Sequence, residues 1–177
     1  MPTVPRILSI AGTDPTGGAG LHADLKSIAA AGGYGMGVVT SLVAQNTTGV
    51  QSLHTPPADF LAAQLDSVLS DVTVDAIKIG MLGTAPTIDV VEAALEEYRF
   101  PTVVLDPVLI CKGQEPGAAL DTDNALREQV LPLADLVTPN LFETQVLAGV
   151  DEITTVDQLK DAARRIHDHG VPAVLAK

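Results

Sequence analysis

Short aliphatic runs alternate with longer stretches of helical periodicity along almost the whole chain. The aliphatic runs are mostly β-branched and continuous, which predicts strands that are covered on both faces. They occupy residues 6–11, 36–44, 75–80, 102–106, 135–138 and 171–176. The helix-length segments are 20–31, 57–70, 85–98, 122–130 and 155–169. Strand-helix-strand repetition with connections of this length predicts an α/β fold built on a mostly parallel sheet.

Length and charge narrow the class of protein further. A chain of 177 residues with 46% hydrophobic residues suits one domain with a sizeable core. The formal charge of -12 argues against nucleic acid and anionic membranes as partners, because both repel an acidic protein. The single cysteine, Cys111, allows no intrachain disulfide, and no apolar run reaches the roughly 18 residues of a membrane helix. We therefore predict a cytoplasmic protein.

Ligands of parallel α/β proteins bind beyond the carboxyl ends of the strands, so the residues that follow each predicted strand are the first candidates for a site. These residues are Gly12-Thr13-Asp14, Gln45-Asn46, Met81, Asp106-Pro107, Pro139-Asn140 and Lys177. The loop over residues 11–20 is glycine-rich and opens a helix, so its N–H groups could meet a ligand. Its spacing matches neither the P-loop nor the dinucleotide fingerprint, and a tight turn explains it equally well.

Other candidate residues have a functional and a structural interpretation. Asp106 at a strand end suits a metal or phosphate chemistry, although a helix cap is nearly as common. Asn140 and Glu143 have the spacing of a capping box, which we favour for this motif alone. His167 and His169 do not share a helix face, so metal binding there is disfavoured.

Four segments, taken in their order along the chain, distinguish this sequence from other α/β proteins. They read SIAGTDPTGGAGLHADLKSIAAAGGYGMGVVTSLVAQNTTGV, DAIKIGMLG, VVLDPV and LVTPNLFET. Together they closely resemble the hydroxymethylpyrimidine/phosphomethylpyrimidine kinases of thiamine biosynthesis. These kinases belong to the ribokinase-like superfamily, together with pyridoxal kinases. The resemblance covers all 177 residues and implies a ribokinase-like three-layer sandwich, with helices flanking a mostly parallel central sheet.

The resemblance also implies which residues form the site. The positions that surround the aminopyrimidine in the family are matched here by Gly12, Ala19, Asp24, Gln45, Met81 and Val108. Asp106 and Glu143 match acidic positions near Mg²⁺ and the ATP phosphates. Asn140 matches a neighbouring polar contact, and Lys177 matches a lysine that meets the ATP phosphates.

The implied reaction transfers the γ-phosphoryl group of ATP, with Mg²⁺, to 4-amino-5-hydroxymethyl-2-methylpyrimidine and then to its monophosphate. Related enzymes are commonly dimers, which implies a homodimer. In the family, a glycine-rich anion hole and the residue that activates the substrate hydroxyl lie beyond the position of Lys177. We therefore expect residues 1–177 to be the N-terminal portion of one kinase domain, incomplete at the C-terminus and inactive alone. No catalytic residue is assigned within it.

Two alternative functions stay open. The loop Ile110-Cys111-Lys112-Gly113 resembles that of related bacterial pyridoxal kinases, in which the cysteine can engage the substrate aldehyde. Cys111 is therefore a further candidate for substrate binding, and pyridoxal/pyridoxine kinase activity in vitamin B6 salvage, alone or as dual specificity, is the first alternative. The second is a non-catalytic module that binds a pyrimidine or B6 vitamer, which would apply if the natural chain ends near Lys177.

Overall fold

A computed structural model describes residues 4–109 and 116–177 of the chain. Its strands are β1 (Arg6–Ala11), β2 (Tyr34–Val39), β3 (Leu42–Asn46), β4 (Gly49–His54), β5 (Ala76–Ile79), β6 (Val103–Leu105), β7 (Leu136–Val137) and β8 (Ala173–Val174). Its helices are α1 (Gly20–Ala30), α2 (Ala58–Leu69), α3 (Ala85–Glu97), α4 (Pro116–Ala125), α5 (Leu141–Ala148) and α6 (Val156–Asp168). After α4 the chain continues through a π-helical turn (Leu126–Val130) and a short 3-10 helix (Leu131–Leu133).

Six of the strands in the described part of the chain form one parallel sheet in the order β2-β1-β5-β6-β7-β8. The inner strands are apolar on both faces because helices cover the sheet, as Leu8 and Ile10 of β1 and Ile77 and Ile79 of β5 show by their burial. The predicted mostly parallel sheet flanked by helices is confirmed. Every strand of this sheet therefore presents its carboxyl end to the same edge.

One hydrophobic core runs under this sheet. It includes Ile88 and Val91 of α3, Leu61 of α2 and Ile166 of α6, all buried. Four of the five predicted helices agree with α1, α2, α3 and α6 to within about one residue at each end, which is the accuracy with which helix ends are defined. No helix within residues 4–109 and 116–177 combines the length and the apolar character needed to span a bilayer.

Helices α3, α5 and α6 begin where side chains satisfy their first N–H groups. Thr84 accepts a hydrogen bond from the Thr87 N–H at the start of α3. Thr155 and Gln158 form a capping box at the start of α6. Helix α5 ends at Gly149, whose φ of 63° lies in the left-handed region that favours glycine.

The predicted strand 36–44 is wrong in one respect, because the structure divides it into β2 and β3. The break lies at Thr40 and Ser41. The Thr40 hydroxyl donates to the Met81 carbonyl at 2.6 Å, and the Ser41 carbonyl accepts from the Thr13 N–H at 2.9 Å. These bonds turn the chain out of the main sheet, and β3 pairs instead with β4 in a separate antiparallel hairpin. The sequence reasoning missed β4.

The fourth predicted helix, 122–130, starts too late. In the structure α4 begins at Pro116, and the residues from Leu126 onward form the π-helical turn rather than regular α-helix. Proline at the first helical position is a common start signal, because its missing N–H would have no partner there in any case.

Candidate functional site

A cavity of about 550 Å³ lies at the carboxyl edge of the sheet, between the ends of β1, β5 and β6 and the β3–β4 hairpin. Five of the residues predicted to surround the substrate line it, namely Gly12, Ala19, Gln45, Met81 and Val108. Asp106, predicted as a metal ligand, also contributes to the wall. The structure thus brings together residues that lie up to 96 positions apart in the sequence, as Gly12 and Val108 do.

The glycine-rich loop before α1 is folded around the carboxylate of Asp14, which is buried. This carboxylate accepts hydrogen bonds from the N–H groups of Thr16, Gly18 and Ala19 at 2.9, 3.2 and 2.9 Å. The Gln45 side chain first, and then the hydrogen bonds of Thr16 and Ala19, lower the Asp14 pKa from 3.8 to about 2. These three N–H groups therefore satisfy an internal anion, which favours the tight-turn interpretation of the loop over contact of these groups with a ligand.

Two glycines in this loop allow close approach of neighbouring atoms. A Cβ atom placed on Gly12 would lie 2.6 Å from the Met81 methyl carbon, so only glycine lets the Met81 side chain reach this part of the wall. Gly20 has a φ of 55°, and a Cβ atom there would overlap the Gly12 carbonyl. The Leu21 N–H donates to that same carbonyl at 2.9 Å, which fixes the start of α1 beside the cavity.

The β3–β4 hairpin forms the opposite wall and carries Gln45. Its pairing is irregular between Ala44 and Gln45, a bulge of the kind that re-aims a side chain. The hairpin is tied to the loop by Thr13, whose hydroxyl accepts from the Val43 N–H at 2.9 Å. At its turn, the Asn46 side chain accepts from the Thr48 N–H at 2.9 Å. Gln45 is half-buried and faces the cavity from this support.

Asp24, also predicted to contact the substrate, lies behind the cavity wall in the structure. One of its carboxylate oxygens, Oδ2, accepts from the Ser9 hydroxyl at 2.7 Å and from the Lys78 ammonium at 2.9 Å. Lys78 itself lines the cavity and reaches toward Asp106, with 4.0 Å between Nζ and Oδ2. The sequence reasoning missed Lys78, although a lysine inside a strand covered on both faces is itself a signal.

A second group of polar residues surrounds Asp106 at the ends of β6, β7 and β8. The Asp106 Oδ1 atom accepts from the Lys177 ammonium at 3.1 Å and from the Thr138 hydroxyl at 3.3 Å. The Lys177 N–H donates to the Pro139 carbonyl at 2.9 Å, which holds this end of the chain against β7. The predicted phosphate-side residues therefore lie next to the predicted substrate cavity.

The capping-box interpretation of Asn140 and Glu143 is confirmed. The Asn140 side chain accepts from the Glu143 N–H at 2.9 Å, and the Glu143 carboxylate accepts from the Asn140 N–H at 2.7 Å. Burial raises the pKa of Glu143, the Asn140 N–H lowers it, the charge of Asp106 raises it and that of Lys177 lowers it. Asp106 is thus close enough to influence Glu143, and the cap uses only one of the two glutamate oxygens.

The residues around Asp106 fit a Mg²⁺ ion that arrives with a nucleotide. Within the described ranges, no group of three or more His, Cys, Asp or Glu side chains forms a complete cage for a metal. Mg²⁺ in kinase sites is typically held by one or two carboxylates together with waters and phosphate oxygens. Asp106 and Glu143 are carboxylates of this kind, and Mg²⁺ binding by them stays a prediction. The remaining predicted site residue, Cys111, lies outside the described residues.

Comparison with known proteins places this arrangement in a family. The model of a family described as phosphomethylpyrimidine kinase matches residues 14–177. The chain belongs to the phosphomethylpyrimidine kinase family. It is 54% identical over 170 residues to the thiamine biosynthesis multifunctional protein ThiED of Corynebacterium glutamicum, covering 94% of this chain and 22% of that protein. It is 45% identical over 170 residues to the hydroxymethylpyrimidine/phosphomethylpyrimidine kinase of Escherichia coli, covering 96% of this chain and 64% of the relative.

Solved structures agree with this membership. The chain superposes with a TM-score of 0.90 and 45% identity on a structure described as the last common ancestor of HMPPK and PLK/HMPPK vitamin kinases, covering 99% of this chain and 79% of that one. It superposes with a TM-score of 0.89 and 38% identity on an ADP complex of Bacillus subtilis pyridoxal kinase, covering 98% and 67%. The chain thus has structural neighbours named for HMPPK and for pyridoxal kinase.

Proposed function

We propose that the protein to which this chain belongs is an ATP-dependent kinase of thiamine biosynthesis. It phosphorylates 4-amino-5-hydroxymethyl-2-methylpyrimidine and then the resulting monophosphate. The observation that carries this proposal is the position of Asp106, which lines the Gln45–Met81 cavity and also contacts Lys177. A substrate hydroxyl and a nucleotide phosphate could therefore meet at one point of the sheet edge. The names of the similar proteins from C. glutamicum and E. coli support the same activity.

The cavity side of the site suits an aminopyrimidine. The Gln45 amide offers a donor and an acceptor to an edge that carries a ring nitrogen and an amino group. Met81 supplies an adaptable apolar wall, and Val108 adds to it. Gly12, which has no side chain, lets the Met81 methyl group pack against the backbone at the end of β1 and complete this wall.

The phosphate side suits positioning and neutralisation of charge, which are the main tasks in phosphoryl transfer. Asp106 and Glu143 would hold Mg²⁺, which when bound neutralises phosphate charge and orients the phosphate oxygens. Lys177 would contact the ATP phosphates, with Asn140 beside it. In the reaction, the hydroxymethyl oxygen forms a bond to the γ-phosphorus, the bond to the β-phosphate oxygen breaks, ADP leaves and the hydroxyl proton is released.

Several further predictions belong to this proposal. Residues 1–177 are part of a single kinase domain, a prediction supported by the six-stranded sheet and the hydrophobic core that run through the described residues. Bound ADP in a structural neighbour supports ATP as the phosphoryl donor. The cytoplasmic location and the homodimer stay predictions, as does a role for Cys111 in substrate binding.

A second candidate, pyridoxal kinase activity, is favoured by the similarity to the B. subtilis pyridoxal kinase structure. The test is an ATP-consumption assay of the full-length protein with the hydroxymethylpyrimidine and with pyridoxal. We expect a higher kcat/KM for the pyrimidine. A clear preference for pyridoxal would replace the proposed substrate, and binding of either compound without turnover would indicate a non-catalytic vitamer-binding protein.

A further inference from the structure

Lys78 provides the single Lys or Arg side chain among the described residues that line the cavity. It comes from β5, in the interior of the sheet, where its neighbours Ile77 and Ile79 are buried. Its own side chain is 24% exposed, so the ammonium is accessible from the cavity rather than enclosed in the core. A lysine in the middle of a covered strand is rare unless its charge is used or paired.

The partners of Lys78 balance its charge but use only part of its hydrogen-bonding capacity. Within the described residues, its hydrogen-bond partner is Asp24 Oδ2 at 2.9 Å, an atom that also accepts from the Ser9 hydroxyl. Asp106 Oδ2, at 4.0 Å, is beyond hydrogen-bond distance. Because an ammonium group carries three N–H donors, donors remain for an acceptor in the cavity.

Gly80 allows the close approach of this ammonium to the end of β5. It lies two residues after Lys78, at the end of β5, and lines the same cavity. A Cβ atom placed on Gly80 would lie 3.0 Å from Lys78 Nζ. It would also lie 3.1 Å from the Ala11 Cβ, so the missing side chain lets the ammonium and Ala11 lie close to the end of β5.

The two substrates of the proposed reaction differ at one group, which is a neutral hydroxymethyl in the first and a phosphate monoester in the second. The phosphate carries a charge of about -1.5 to -2 at neutral pH and three strong acceptor oxygens. In a chain of net charge -12, a cavity that admits such a group needs a local cation. Lys177 is held at Asp106 and is not among the residues lining this cavity.

On the basis of the proposed function, we propose that Lys78 binds the phosphate of the monophosphorylated pyrimidine. Lys78 is thus the residue that lets the product of the first phosphoryl transfer serve as the substrate of the second. The competing explanation is structural, since the Lys78–Asp24 pair also attaches α1 to the sheet. A purely structural role would change the binding of both pyrimidines to the same extent, whereas phosphate recognition changes only one.

The experiment measures binding of the hydroxymethylpyrimidine and of its monophosphate by calorimetry, with the full-length protein and without ATP or Mg²⁺. The variants are Lys78→Met, Lys78→Arg and Gly80→Ala, with Lys160→Met on the exposed face of α6 as a matched control. We expect Lys78→Met to weaken binding of the monophosphate by at least about tenfold, as for loss of a charged hydrogen bond, and binding of the unphosphorylated pyrimidine by less than about twofold. Lys78→Arg retains most of the selectivity, and Lys160→Met changes neither affinity.

Gly80→Ala keeps the lysine but places a methyl group 3.0 Å from its Nζ atom, so the ammonium must shift and the same selective loss is expected. If Lys78→Met does not fold, Gly80→Ala decides the question. Equal weakening of both ligands, or unchanged binding of the monophosphate, overturns the proposal, as does a wild-type protein that does not bind the monophosphate. Turnover of the unphosphorylated pyrimidine by the wild type tests the proposed function separately.

Discussion

The Lys177 ammonium lies 3.1 Å from the Asp106 carboxylate, although 71 residues separate the two in the sequence. The contact results from the strand order, because β6, β7 and β8 are neighbours and present their carboxyl ends together. Asp106 follows β6 directly, and its N–H continues the ladder to the Ile79 carbonyl at 2.8 Å. A rigid sheet edge therefore holds a carboxylate and an ammonium where a nucleotide phosphate and its cation could bind.

The first prediction concerns Asp106→Asn in the full-length protein. Removing this negative charge should lower kcat by at least about a hundredfold, as for other groups that act on charge developing during phosphoryl transfer. The affinity for the pyrimidine, measured without nucleotide, should stay within about twofold of the wild type. Asp157→Asn, on the exposed first turn of α6, is the matched control and should change neither quantity. Equal losses of binding and turnover would contradict the assigned role.

The second prediction uses the contact between Gly12 and Met81. A methyl group at position 12 would lie 2.6 Å from the Met81 methyl carbon, so Gly12→Ala should displace that flexible side chain into the cavity. We expect KM for the pyrimidine to rise by about tenfold or more, with a melting temperature close to that of the wild type. Gly18→Ala is the control in the same loop, because its Cβ would meet the nearest atoms at 3.6 Å. A large loss of stability in Gly12→Ala, without a change in KM, would indicate a structural role.

Much of the sheet could be predicted from the sequence, because its strands are continuous β-branched runs with few alternative structures. Strand β1 has the predicted bounds, and β5 and β6 lie within their predicted segments. The division at Thr40 could not be predicted, since it depends on a hydrogen bond to the Met81 carbonyl 41 residues away. The strand propensity of residues 36–44 contains no information about a hydrogen bond to the Met81 carbonyl.

The sequence predicts those site residues that directly follow a strand or that match a position of the family it resembles. Met81 and Asp106 lie at one cavity as the parallel sheet requires, whereas Gln45 reaches that cavity from the antiparallel β3–β4 hairpin. The role of Asp14 in organising its loop was not found, because it depends on three backbone N–H groups turning toward one side chain. Lys78 was overlooked inside a strand, although its charge in that position was visible in the sequence.

The third prediction concerns acid stability through Asp14. Its pKa is lowered from 3.8 to about 2 in the folded protein, so the folded state holds this proton less tightly than the unfolded chain. The stability that Asp14 contributes is therefore present above about pH 4 and is lost as the pH falls toward 2. Asp14→Asn should lower the melting temperature at pH 7, and the difference from the wild type should shrink toward pH 2.

Thermal unfolding measured by circular dichroism between pH 2 and pH 7 tests this dependence. Asp71→Asn, at an exposed position after α2, is the control and should follow the wild type throughout. A constant difference between Asp14→Asn and the wild type over this pH range would show that the charge of Asp14 does not stabilise the loop.

The fourth prediction concerns Asp123, whose effect on stability has the opposite sign. Burial raises its pKa from 3.8 to about 6, the Arg127 charge opposes that rise only in part, and no described residue donates to its Oδ1 atom. The folded state therefore binds this proton more tightly than the unfolded chain, and stability falls as the pH rises from about 4 through about 6. Asp123→Asn should raise the free energy of unfolding at pH 7.5 by on the order of 1 kcal/mol, a value that allows for solvent screening of a partly exposed group.

At pH 4 the Asp123→Asn variant should match the wild type, and Asp121→Asn, at an exposed position of the same helix, should match it at both pH values. Denaturant unfolding at the two pH values measures the difference, and an equal gain at both would assign the effect to the amide rather than to removal of a buried charge.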